Sequence, residues 1–182
     1  MRRVLIVVAA LLIMSLGTSI VSAQVPYVEF VFSHRGGSAD CPPDPPGTVL
    51  DSAFVVANNF GMWMSAIEYG VSYPPEIIFL SDNTTGLNIG SSDVGISTAW
   101  PLPQNAFDPL IVNEVKFLWN CQGCPETNIP IPVGPNTATG FLQAVRWPDN
   151  GLVSAVGMTS LICSTIPIEE TTWGNIKALY KK

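Results

Sequence analysis

The stretch Trp63-Met64-Ser65-Ala66-Ile67-Glu68-Tyr69-Gly70-Val71-Ser72-Tyr73 decides the fold class. Its odd positions carry Trp63, Ser65, Ile67, Tyr69, Val71 and Tyr73, and its even ones carry Met64, Ala66, Glu68, Gly70 and Ser72. A period of two with one clearly more apolar side is the mark of a half-buried β-strand, because successive side chains of an extended chain leave opposite faces. Working outward, similar runs lie at 28–32, 49–57, 77–80, 94–99, 110–120, 128–133, 141–147 and 158–163. Within Glu114–Asn120, Val115, Phe117 and Trp119 share one side, and Glu114, Lys116 and Asn120 the other.

Between these runs stand clusters of breakers: Asn58-Asn59, Pro74-Pro75, Ser81-Asp82-Asn83-Thr84-Thr85-Gly86, Trp100-Pro101-Leu102-Pro103, Gly134-Pro135-Asn136 and Pro148-Asp149-Asn150-Gly151. The chain has 15 glycines and 16 prolines, while only 12% of its residues are charged. That balance disfavours helices, whose interiors exclude Pro and Gly and whose wet faces need Lys and Glu. The expected architecture is all-β: an antiparallel two-sheet sandwich of immunoglobulin-like or cohesin-like type, with a short C-terminal helix.

The resemblance to cohesin-like domains lies in Ser52–Asn59, in Met64–Leu80 and in Val112-Asn113-Glu114-Val115-Lys116-Phe117-Leu118-Trp119, and covers roughly residues 49–145. It implies a sandwich in which a long strand leads through a corner into a short one; the corner here reads Pro74-Pro75-Glu76. A second likeness is carried by Thr171-Thr172-Trp173-Gly174-Asn175-Ile176-Lys177-Ala178-Leu179-Tyr180, which is similar to the end of secreted Gram-negative proteins of unassigned function.

Met1-Arg2-Arg3, the apolar run from Val4 to Leu16, and Val21 and Ala23 spaced as at a cleavage site form the pattern of a secretory leader over residues 1–23. The run is too short for a comfortable membrane span. Residues 24–167 are then expected to form the sandwich and 168–182 a tail, with a secreted, periplasmic or cell-surface bacterial location. The net charge of −6, more acidic still without Arg2 and Arg3, argues against nucleic acid as a partner. Protein or carbohydrate partners fit, and no membrane span follows the leader.

Four cysteines in an exported chain point to disulfides. Cys121-Gln122-Gly123-Cys124 has redox-motif spacing, but the prolines after it, Pro125, Pro130 and Pro132, forbid the helix that would activate its first thiol. Paired zinc-ligand clusters are also missing. The favoured pairing is Cys121 with Cys124 as a local clasp and Cys41 with Cys163 as a long tie; the two crossed pairings stay open.

No catalytic residues, metal ligands or cofactor sites emerge. His34 is the one histidine, and it lies in a loop stretch without a nucleophile elbow; Gly157-Met158-Thr159-Ser160-Leu161 lacks the strand-turn-helix setting. Glu169-Glu170 precede the tail helix, where they favour its positive end. Asp82, Asn83 and Asp93 read as turn-capping polar residues rather than as a regular calcium loop. Trp63, Tyr69, Trp119 and Trp147 fall on strands and are assigned to the core. Trp100, before a proline in a loop, is the candidate for ligand contact. In the tail, Trp173, Ile176 and Tyr180 share a helical face suited to docking on the sandwich or to recognition by a partner. The reading that follows is a non-catalytic binding or structural module engaging a protein or a glycan; the alternative is an extracytoplasmic glycan-active enzyme.

Overall fold

The computed structural model describes residues 24–32, 50–120 and 129–162. Expectations at 1–23, His34, Cys41, Cys121, Cys124, Cys163 and the tail residues Trp173, Ile176 and Tyr180 lie outside these. The described residues hold twelve strands and no helix: β1 (Tyr27–Phe32), β2 (Leu50–Asn58), β3 (Trp63–Val71), β4 (Ile77–Asn83), β5 (Leu87–Ser91), β6 (Gly95–Asn105), β7 (Leu110–Trp119), β8 (Ile129–Gly134), β9 (Gln143–Arg146), β10 (Leu152–Ser154), β11 (Val156–Gly157) and β12 (Thr159–Ile162). They form two sheets. The first has the order β11-β1-β2-β7-β4; the second runs β10-β9-β3-β6-β5, with β8 joined to β3 and β12 to β8. All described pairings are antiparallel except that of β1 with β11.

Alternation places Val28, Phe30 and Phe32 of β1, Ala53, Val55 and Ala57 of β2, and Val115, Phe117 and Trp119 of β7 inside. Facing them from the second sheet are Met64, Ile67, Tyr69 and Ile96. Phe32 stacks on Trp119 at 5.8 Å, and Phe117 meets Phe30, Phe32 and Trp119 with ring centroids 5.2–6.5 Å apart. Each such side chain contributes roughly 1.5–3 kcal/mol on leaving water.

The second sheet departs from simple alternation at one place. Between Met64 and Ala66 the register with both β6 and β9 slips. The extra residue reverses parity, so that Met64 faces the core at 0% exposure while Trp63 stands 47% exposed. The expectation of Trp63 inside is therefore corrected: period two holds from Ile67 onward and inverts before Ser65. Trp147, also 47% exposed, is corrected with it.

The sandwich closes where β11 is threaded between β1 and β8. Met158 N donates to Val28 O at 2.8 Å and Val133 N donates to Met158 O at 3.0 Å. A Cβ on Gly157 would lie deep inside contact distance of Val133 O, so only glycine fits this crossing. Gly157→Ala is expected to cost about 1–3 kcal/mol, as overpacking against backbone does, and a thermal melt several degrees lower would register it; an unchanged melt would mean the crossing is loose.

Candidate binding face

The outward side of the second sheet is built from cross-strand pairs. Leu87 lies opposite Ala99, Ala99 opposite Ala66, Ala66 opposite Val145, and Val145 opposite Leu152. The alternate row, with Thr98, Ile67 and Ala144 exposed by 1%, 2% and 0%, faces the core. Parity thus forces the five apolar residues outward, and Leu87 and Leu152 at the two ends of the row are 73% and 66% exposed. At the usual strand spacing of about 4.8 Å, this apolar bar crosses five strands over about 19 Å.

The next outward row reads Ile89, Ser97, Glu68, Gln143 and Ser154. Gln143 Nε2 donates to Glu68 Oε1 at 2.5 Å and Thr139 Oγ1 to Glu68 Oε2 at 2.9 Å, which fixes the carboxylate in place. A shallow depression of about 230 Å³, lined by Ala66, Ile67, Glu68, Ser97, Gln143 and Val145, joins the two rows. The surface is apolar along one line and carries a single, positioned acid beside it.

Trp100, the candidate for ligand contact, is elsewhere. It lies inside β6, is 7% exposed, and its Nε1 donates to Thr85 Oγ1 at 3.2 Å. The loop placement is corrected: the strand continues through Pro101 and Pro103, because residues 100–103 fall between the Ala99–Ala66 and Gln104–Met64 pairs, where no ladder bond is asked of a proline. The exposed aromatics of the described residues are instead Trp63, Phe107, Phe141 and Trp147, at 47%, 58%, 57% and 47%.

Several other polar groups among the described residues are engaged within the fold. Asp82 accepts from Ser92 N at 2.7 Å and from Asn113 Nδ2 at 2.6 Å, while Asn113 Oδ1 receives Asn83 N at 3.1 Å. Ser92 in turn bonds the Tyr73 hydroxyl at 2.8 Å. Asp82 therefore ties the first sheet to the turn between β5 and β6, and Asp93 is taken up locally by Ser91 Oγ at 2.5 Å. No group of three metal-ligating side chains occurs among the described residues. Ser160 sits in β12 with its hydroxyl on Phe30 O. A further depression of about 270 Å³ on the first sheet is lined by Leu50, Asp51, Ser52, Glu114 and Lys116, but the buried Asp51 carboxylate is held by Trp119 Nε1 at 3.0 Å and Ser52 N at 2.7 Å.

No family model matches the chain. Over 88 residues, 47% of the chain, it is 30% identical to human myeloperoxidase, of which that stretch spans 12%; so small a share transfers no activity. Among solved structures, the fold is similar to that seen in a complex of CaCohA2 with a CaDoc0917 variant, with TM-score 0.51 and 13% identity over 77% of this chain and 99% of the other; CaCohA2 comes from Clostridium acetobutylicum. It is similar also to a type III cohesin module from the ScaE cell-surface anchoring scaffoldin of Ruminococcus flavefaciens, with TM-score 0.50 and 8% identity over 81% of this chain and 92% of that one. The two-sheet sandwich is thus of cohesin-like fold.

Proposed function

We propose that this chain is a non-catalytic binding module that works outside the cytoplasm and engages a protein partner through the outward side of the β10-β9-β3-β6-β5 sheet. The observation that carries the reading is the apolar bar Leu87–Ala99–Ala66–Val145–Leu152. Five neighbouring strands present only aliphatic side chains in one line, where a solvated sheet face would place polar residues. The fitting occupant is a polypeptide segment with apolar side chains along one edge and a Lys or Arg placed to meet Glu68; the chain's net charge of −6 favours a basic partner. CaCohA2, similar in fold, is seen in a complex with a CaDoc0917 variant. The leader-like residues 1–23 support export, and export supports oxidation of Cys41, Cys121, Cys124 and Cys163. The tail residues Trp173, Ile176 and Tyr180 offer a second contact, to the sandwich or to a partner.

Peptides selected for binding from a displayed library test this. Those that win are expected to lose at least tenfold in affinity on Ala99→Glu or Leu152→Glu, while both variants keep the parent melting temperature, because each buries a charge only in the complex. Winning peptides indifferent to both substitutions would overturn the assignment of the face. Turnover on a glycoside hydrolase panel, abolished by one carboxylate substitution, would overturn the non-catalytic reading in favour of a glycan-active enzyme.

A further inference from the structure

We propose that Asn150 is a self-modifying site, at which the backbone nitrogen of Gly151 attacks the asparagine side chain, and that the carboxylate of Asp149 holds this reaction back. Of the asparagines in the chain, only Asn150 is followed by glycine, so no side chain on the next residue hinders an approach to its Cγ. The connection between β9 and β10 favours both residues. Asn150 has φ +57, a left-handed conformation that asparagine tolerates better than most. A Cβ on Gly151 would stand 2.9 Å from Arg146 Nη2 and displace the guanidinium. The turn thus selects two residues whose junction is chemically weak. Asn59 shares the conformation, with φ 60, but precedes Phe60 and serves as an internal control. The side chain of Asn150 is exposed, so water and base reach it.

The step needs nothing but water. Gly151 N gives up its proton to solvent base and bonds to Asn150 Cγ; the bond from Cγ to the side-chain nitrogen breaks, and that nitrogen leaves as ammonia with a proton taken back from solvent. Water then opens the cyclic imide at either carbonyl, to aspartate or to isoaspartate, with no oxidation or reduction. The same turn restrains the attacking nitrogen. Gly151 N donates to Asp149 Oδ1 at 3.2 Å, and Asp149 is itself gripped by Arg146, with Nε 3.0 Å from Oδ1 and Nη2 2.6 Å from Oδ2. On its other side Gly151 is pinned by Arg146 N, which donates to Gly151 O at 2.8 Å. The Arg146 guanidinium holds the Asp149 carboxyl down at about 2, so the group beside Gly151 N is an anion. Taking the proton from a nitrogen that already donates to an anion is disfavoured. Attack therefore waits for the clamp to open locally.

Isoaspartate routes the main chain through the former side-chain methylene, which lengthens the turn directly before the Leu152–Val145 pair. Through that pair the change reaches two residues of the apolar bar; this last link rests on the binding face proposed above, whereas the conversion itself is read by mass alone. The full chain, incubated at mildly alkaline pH with and without urea, is mapped by mass spectrometry for the gain that accompanies exchange of amide for acid. Conversion is expected at Asn150 and not at Asn59, with isoaspartate as the main product, and about tenfold slower in the folded chain than in urea. Asp149→Ala, with its circular dichroism unchanged, is expected to speed the folded reaction about three- to tenfold. An Asn150 left untouched in the folded chain over the time in which urea converts it fully would overturn the site. A folded rate equal to that in urea, or one indifferent to Asp149→Ala, would overturn the guarding role of Asp149. The comparison with urea decides on the unaltered chain even if the variant fails to fold.

Discussion

Replacing Phe117 by alanine is expected to destabilise the sandwich by about 3–5 kcal/mol, the usual range for emptying a buried aromatic site. Phe117 lies on β7, a strand flanked on both sides in its sheet, and has no exposure. Its ring meets Phe30 at 6.5 Å, Phe32 at 6.0 Å and Trp119 at 5.2 Å. Those neighbours come from β1 and from β7 itself, and their own backbones are fixed by ladders to β2 and β4, so the space cannot collapse. The loss combines the transfer energy of the ring with the edge-to-face contacts. Domains of this kind hold only about 5–15 kcal/mol in all, so this one change removes a large part. Urea unfolding should show a midpoint much lower at unchanged slope; a loss below about 1 kcal/mol would mean that the two sheets do not share this centre.

Alkali is expected to be the second large perturbation. The hydroxyl of Tyr69 is wholly buried and makes no hydrogen bond of normal geometry among the described residues. Burial first, and then the Asp82 charge, raise it well above the ordinary tyrosine value, which the Asn113 side chain only softens. Burial likewise raises Tyr73, with the bond to Ser92 working against it and Asp82 adding to it. Since both phenols keep their protons when folded and release them near pH 10 when unfolded, their contribution is complete below pH 10 and declines above it. Each removes up to about 1.4 kcal/mol per pH unit. Tyrosinate absorbance and far-ultraviolet circular dichroism followed together should show two of the four tyrosines ionising in step with unfolding. Tyr69→Phe should halve the slope and cost little, since it deletes a buried hydroxyl that is poorly served. Four independent ionisations near pH 10, with the strand signal intact, would contradict this.

Much of the fold is legible in the chain because a sandwich core is written in period two. Val115, Phe117 and Trp119 on one side, and Glu114 and Lys116 on the other, are read directly and found so. What escapes is whatever depends on interruptions of that period. The bulge at Ser65 exchanges the inner and outer places of Met64 and Trp63, so the tryptophan assigned to the core is outside. Pro101 and Pro103 look like a break, yet they stand in a stretch of β6 that makes no register pair, and Trp100 is carried inside with the strand. Leu87-Asn88-Ile89-Gly90 resembles turn sequence, but Asn88 points inward to accept from Thr84 Oγ1 and Thr98 Oγ1 at 2.7 and 2.9 Å, and the segment pairs as an edge strand. The candidate face is beyond reach for a different reason: Leu87, Ala99, Ala66, Val145 and Leu152 become neighbours only through four registers, none of which local sequence states.

The covering of β1 by β11 and β12 has a consequence for the order of events in the cell. The hydroxyl of Ser160 meets a carbonyl of Phe30 across 130 positions of sequence. A polypeptide emerging from the ribosome, or through a translocation channel, with its amino end leading must therefore carry its phenylalanine-bearing β1 half-covered until some 130 further residues have followed. Contacts so remote in sequence form slowly, and the waiting segment is the part of the nascent chain that a holding chaperone would grip.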